Sequence, residues 1–254
     1  MKSLNFAFRN YREIIRDPLS VIFCLLLPLF LLFIFQQFEI PNDAFLIENF
    51  TPGIVIFGFS FITLFTATLV SKDRSTSFLT RLGASPMRPC DYILGYTLAI
   101  LPIVIIQNLV FFVTAVLLGL PLTINILFCI LSSIPASLLF IALGILIGCI
   151  TSDRSAPGVS SIVVQLVAFT SGMYFSADMV GKFFAVICDI LPFSWCVKFL
   201  KGILSANNED IGLAVVILLL YTVVLYILAT VIFKKKSIRV NLLKNLCKIK
   251  IRIF

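Results

Sequence analysis

Hydrophobic residues in this chain come in long unbroken blocks. Six blocks contain no Asp, Glu, Lys or Arg: about 19–38, 52–71, 92–119, 125–150, 156–176 and 211–233. A helix needs roughly 20 apolar residues to cross a hydrocarbon core of about 30 Å, and each block meets that length. The runs are continuous, whereas barrel strands alternate, so the pattern predicts six transmembrane helices and an all-α membrane protein. No small-residue cleavage pattern follows the first block, so it reads as a span, not a signal peptide.

Between the blocks the pattern changes. Over residues 4–16, Leu4, Phe8, Tyr11 and Ile15 recur at helical spacing, with Arg9, Arg12 and Arg16 on another side. This predicts an amphipathic helix in the membrane interface, its bases toward acidic headgroups. It serves either as an anchor or as a connecting helix that transmits motion to a partner. Asp17 suits a cap for the first span, with Pro18 at its first helical position. Residues 72–90 predict a short helix over Lys72–Leu82 with Phe78, Leu79 and Leu82 on one face. Gly83 suits its C-cap, Pro86 and Pro89 prevent its continuation, and Asp91 caps the next span. A topogenic loop needs the bases but neither the apolar stripe nor the rigid turn, so the stripe suggests a docking surface for a soluble partner. Residues 177–205 are apolar but interrupted by Lys182, Asp189, Pro192, Lys198 and Lys201. A charge at the bilayer centre costs a few kcal/mol. This stretch therefore predicts short helices lying on, or re-entering, the outer face. The basic tail, 234–254, reads as a helix on the membrane surface.

Charge sets the orientation. Seventeen of the 20 Lys and Arg fall in the N-terminal segment, the 72–90 loop, the loop holding Arg154 and the tail. The positive-inside rule puts all of these, and hence both termini, in the cytoplasm. Composition agrees with the membrane reading: 60% of the 254 residues are hydrophobic, against about 45–50% in soluble domains, and mean hydropathy is +1.12. The net charge of +8 therefore orients the chain and implies no nucleic-acid partner. The chain has no histidine, which excludes Ser-His-Asp, Cys-His and His-metal chemistry. Its seven cysteines are scattered with no C-x-x-C pair, and no metal site is expected. Cys188 and Cys196 could pair only on an oxidising side.

Several stretches together resemble the permease subunits of ABC-2-type transporters, the membrane halves of ABC exporters. They are "RDP" (Arg16–Pro18), "PGI" (Pro52–Ile54), "DRSTSFLTRLGASPMRPCDYILG" (Asp73–Gly95), and "SGMYF" followed by "ILPFSWCVKFLKGIL". Their order on six spans covers nearly the whole chain. Two departures are Ser75, where the family often has Gly, and the absence of a glutamate beside Arg74. The resemblance implies a single transmembrane domain of a bacterial plasma-membrane transporter, paired as a homodimer or with a second permease. A separate ATPase subunit, carrying ATP and Mg, would dock on the loop through Arg74, Phe78, Leu79, Arg81, Leu82 and Pro86. Cycles of ATP binding and hydrolysis would drive alternating access, with export of an amphipathic small molecule, antibiotic, lipid or peptide. The chain itself would be no enzyme and bind no cofactor. Independently, it has no G-x-x-x-x-G-K-[ST] phosphate loop.

A secondary carrier or an ATP-independent facilitator is the rival reading. Ion-coupled carriers place ionisable groups inside the bilayer, and the six blocks contain none, which leaves the facilitator. Among uncharged polar residues, Gln107, Asn108 and Gln165 fall mid-span. Two readings stand for them: interhelical hydrogen bonds worth about 0.6 kcal/mol each, or the lining of an uncharged substrate path.

Overall fold

The computed structural model describes residues 2–38, 45–76, 88–173, 181–206 and 211–253. For residues 2, 18–21, 23 and 236–253 only the backbone is described. These residues form helices α1 (Lys2–Ile15), α2 (Pro18–Gln37), α3 (Ile47–Ser75), α4 (Pro89–Leu117), α5 (Ile124–Ile150), α6 (Ala156–Thr170), α7 (Lys182–Ile190), α8 (Pro192–Leu204) and α9 (Ile211–Ile253). By length and composition α3, α4, α5 and the 211–235 part of α9 can cross a membrane, and the α7–α8 pair would be a fifth if its two helices formed one broken span.

The helix α3 is the axis of the bundle. In its most apolar window 83% of the residues are buried, and it packs against α2, α4, α5, α6 and α8. A helix apolar on every side is one that neighbours surround. By contrast α9 is 17% buried in its own window and presents Val216, Leu220, Val223 and Ile227 outward. Those side chains suit lipid, which is as apolar as they are.

Contact between α3 and α5 is close because both supply small residues. A Cβ on Gly144 would lie 2.6 Å from Thr66 Cβ, and one on Gly148 would lie 2.7 Å from the Ala67 carbonyl oxygen. Gly144 and Gly148 form a small-xxx-small pair, which lets membrane helices approach backbone to backbone. The Thr63 hydroxyl donates across the same seam to the Phe140 carbonyl at 2.9 Å.

Several boundaries differ from those predicted. The helix α3 begins at Ile47 and carries Lys72–Ser75 in its last turn, so these four residues extend the span and do not start a separate helix. The remainder of the predicted loop helix, with its turn at Gly83 and Pro86, lies outside the described residues. Pro89 is the first residue of α4, and the Asp91 carboxylate accepts from the Arg88 backbone N–H at 2.8 Å. Asp91 thus caps from the third helical position and not from the cap itself. The helix α6 stops at Thr170, and Gly172 follows with φ +74°. Its 15 residues at about 1.5 Å each make about 22 Å, short of a full hydrocarbon core. The backbone of α9 runs unbroken to Ile253, so span and tail are one helix.

The helices α7 and α8 meet at 79°. The Trp195 indole donates to the Asp189 carbonyl at 2.8 Å, and Lys198 pairs with the Asp189 carboxylate at 3.5 Å. Asp189, Lys182, Lys198 and Lys201 are all exposed, so the charges that interrupt this stretch stay out of the core. Cys188 and Cys196 are both free thiols.

The α3–α5 seam makes a prediction. Gly144→Ala should destabilise the protein by about 1–3 kcal/mol through overpacking, read as a lower thermal midpoint in detergent. Gly212→Ala, whose Cβ meets nothing within 4 Å, should leave the midpoint unchanged.

Candidate functional site

The ends of α3 and α5 and the starts of α4 and α6 gather at one end of the bundle with α1. There Phe6 of α1 packs edge-on against Tyr92 and Tyr96 of α4, with ring centroids 5.4 and 5.0 Å away. The close approach needs a glycine opposite: a Cβ on Gly95 would lie 2.4 Å from the Phe6 ring. This gives the glycine of the "ILG" stretch a steric reason.

That packing carries Arg9 to Asp73 in the last turn of α3. Asp73 is 2% exposed. The Arg9 guanidinium donates to both carboxylate oxygens, with Nη1–Oδ2 at 3.1 Å and Nη2–Oδ1 at 3.2 Å. The Tyr96 hydroxyl donates to Oδ2 at 2.8 Å. Arg9 also pairs with Glu13 one turn on at 2.6 Å, and Lys72 stands 4.0 Å from the other Glu13 oxygen. One buried carboxylate thus ties α1, α3 and α4 together by charge-assisted bonds, which are about twice as strong as neutral ones.

A second tie fixes α3 to α5. The Arg74 guanidinium donates to the carbonyls of Gly148 at 2.6 Å and Thr151 at 3.2 Å. The last carbonyls of a helix lack intrahelical donors and carry partial negative charge, so a cation is stabilising there. Arg74 therefore faces the end of α5. Phe78, Leu79, Arg81, Leu82 and Pro86, the other residues expected to dock an ATPase, lie outside the described residues. Their described flanks, Thr76 and Arg88, adjoin the two helices that Asp73 joins.

The expected face of α1 is corrected. Phe6, Ala7, Asn10 and Ile14 are its buried residues, whereas Leu4, Phe8 and Ile15 are 63%, 58% and 58% exposed. The apolar side is wide enough to serve twice, one half on α4 and the other facing outward. Arg9 is likewise turned inward and is not a headgroup contact. Asp73 was missed because it sits in a charged run, Lys72-Asp73-Arg74, that topology alone accounts for.

Among the mid-span polar residues, Gln107 and Asn108 are fully buried. Gln107 donates to the Cys24 carbonyl of α2 at 3.3 Å, and Asn108 donates to the Ser133 hydroxyl of α5 at 2.6 Å. These are bonds between helices within one chain. Gln165 is exposed on α6, on the same open face as Ser161 and Ile162.

Fold and junction together define a multi-pass α-helical membrane protein. A family model described as ABC-2 type transporter matches residues 6–205, most of the chain. The chain belongs to that family, and it is a membrane domain of an ABC transporter. None of the curated proteins compared with it matches.

The junction makes its own prediction. Arg9→Ala leaves Asp73 buried with the Tyr96 hydroxyl as its remaining donor. Breaking a buried pair costs about 3–5 kcal/mol, and the 36% exposure of Arg9 puts this one near the lower end. The double variant with Asp73→Ala should be more stable than the sum of the two single losses, because no orphaned charge remains. Thermal unfolding of all four proteins in detergent measures that difference.

Proposed function

We propose that this chain is the permease subunit of an ATP-driven ABC exporter in a bacterial plasma membrane. Six spans, α2 to α6 and the first part of α9, form one transmembrane domain with both termini in the cytoplasm. Supporting this, α9 returns to the end where α1 lies, with Phe233 and Tyr92 rings 5.4 Å apart, so Lys234 and Lys235 join Arg9, Arg12, Lys72, Arg74 and Arg88. The bent α7–α8 pair lies on the outer face, where its exposed charges meet water.

A separate ATPase docks on segment 77–87 through Phe78, Leu79, Arg81, Leu82 and Pro86. The observation that carries this reading is the Asp73 junction, which joins α1 to both helices flanking that segment. A contact that transmits force needs such stiff flanks. Arg74 takes the role of fixing α3 to α5 behind the contact. Two permeases pair, and the open face of α6 with Gln165 lines an uncharged path suited to an amphipathic substrate. Gln107 and Asn108 serve packing inside each half.

Co-expression tests the reading. The full chain should co-purify with one soluble ATPase of its own genome that has a phosphate loop. Phe78→Asp or Leu79→Asp should reduce its recovery by about tenfold or more, since each buries an unpaired charge in the contact. Recovery of no ATPase, or undiminished recovery with both substitutions present, overturns the proposal.

A further inference from the structure

Beside the Asp73 junction lies a cavity of about 380 Å³ between α1, α2, α3 and α6. This volume is in the range of ligand cavities, about 300–1,000 Å³. Its deep wall is apolar: Phe61, Leu64, Phe65 and Leu69 of α3 and Cys24 of α2. Its mouth holds Glu13, Asp17 and Lys72. The same three residues line a second, open hollow, which adds Arg9, Arg12 and Arg16. The two spaces therefore share a rim, with apolar lining on one side of it and charged lining on the other.

Charge at the mouth is unevenly spent. Arg9 is engaged by Asp73 and Glu13. Arg12 rests over the Phe8 ring at 4.7 Å. Arg12 and Arg16 are exposed. With Arg9 set against Asp73, the three bases Arg12, Arg16 and Lys72 stand against the two acids Glu13 and Asp17, and the hollow keeps one positive charge in excess.

Depth decides what fits. From Lys72 at the mouth to Phe61 at the bottom is eleven residues of α3, or about 16 Å at about 1.5 Å per residue. Half of a hydrocarbon core is about 15 Å. With α1 at headgroup level, the cavity has the length of one acyl chain in one leaflet.

We infer that this cavity is a binding site for one anionic phospholipid of the cytoplasmic leaflet. Its acyl chain lies along Phe61, Leu64 and Phe65, and its phosphate is held by Arg12, Arg16 and Lys72. The bound lipid wedges α1 against α3 next to the junction. The inference rests on the proposed orientation for its leaflet and on nothing concerning the ATPase.

The test uses the full-length chain alone, delipidated in detergent and titrated with phosphatidylglycerol or phosphatidylcholine, with retained lipids counted by native mass spectrometry. One phosphatidylglycerol should bind at least about tenfold more tightly than phosphatidylcholine, because each base near an anionic headgroup contributes several-fold. Arg12→Gln with Arg16→Gln should abolish the preference. Leu64→Trp, which fills the cavity and keeps every charge, should reduce retention of both lipids. Equal affinity for the two lipids, or retention unaffected by Leu64→Trp in a protein of unchanged melting temperature, overturns the site. So does a Thr68→Cys variant that cross-links to a second copy, because a permease partner would then fill the cavity. Failure to find an ATPase would leave all these outcomes unaffected.

Discussion

A carboxylate withdrawn from water must be neutralised where it sits, and Asp73 imposes that constraint on one end of this protein. Removing an ion from water costs several kcal/mol, repaid only by good geometry and full hydrogen bonding. Arg9 and Tyr96 supply both. They come from different helices, so α1, α3 and α4 hold one relative position or leave the charge unpaired. Phe6 against Gly95 supplies the steric half of the same constraint. A slide of α1 along α4 would break the ring contact and the ion pair together.

The other constraint is closeness without a hydrophobic drive. Lipid tails offer α3 the same apolar environment as its neighbours do, so packing and interhelical hydrogen bonds hold the helices together. Gly144 and Gly148 bring α5 to the α3 backbone, and Thr63 donates at the seam. Arg74 closes it at the Gly148 and Thr151 carbonyls. A hydroxyl bond, close glycine contacts and a cation on a helix terminus thus follow one another down a single line of contact.

Much of this was legible in the sequence, because a bilayer demands long apolar runs and every run became a helix. The four runs that qualify as spans by length and composition match closely at α4, α5 and α9, while α3 extends beyond its run at both ends. What was not legible depended on tertiary partners. Lys72, Asp73 and Arg74 read alike as soluble charge, yet they point to three places: Lys72 toward Glu13, Asp73 into the core and Arg74 onto α5. Their helical offsets of about 100° separate them, but only the neighbours decide which is buried. The same limit applied to α1, where a wide apolar arc contains two candidate faces. The stripe at Leu4, Phe8 and Ile15 was visible, but burial fell to Phe6, Ala7 and Ile14 because Gly95 leaves room for Phe6. Gln107 and Asn108 show the limit from the other side, since burial against α2 and α5 turned polar groups into interhelical bonds.

These ties bear on how motion could pass through the molecule. Segment 77–87 joins α3 to α4, and its two flanks are bound to the same third helix, α1. On one side α3 is also bound to α5 through Arg74. A displacement applied between Thr76 and Arg88 therefore meets four helices fastened together. Packed elements held by discrete contacts shift between arrangements as bodies and do not deform continuously. The short α6 meets α3 through its buried residues, Val164, Val167 and Ala168 among them, in apolar packing. Apolar surfaces slide more readily than bidentate ion pairs, which fix direction as well as distance. Relative movement within one chain is thus most easily placed between α6 and the α1–α3–α4–α5 body, at the buried face of α6 opposite Gln165.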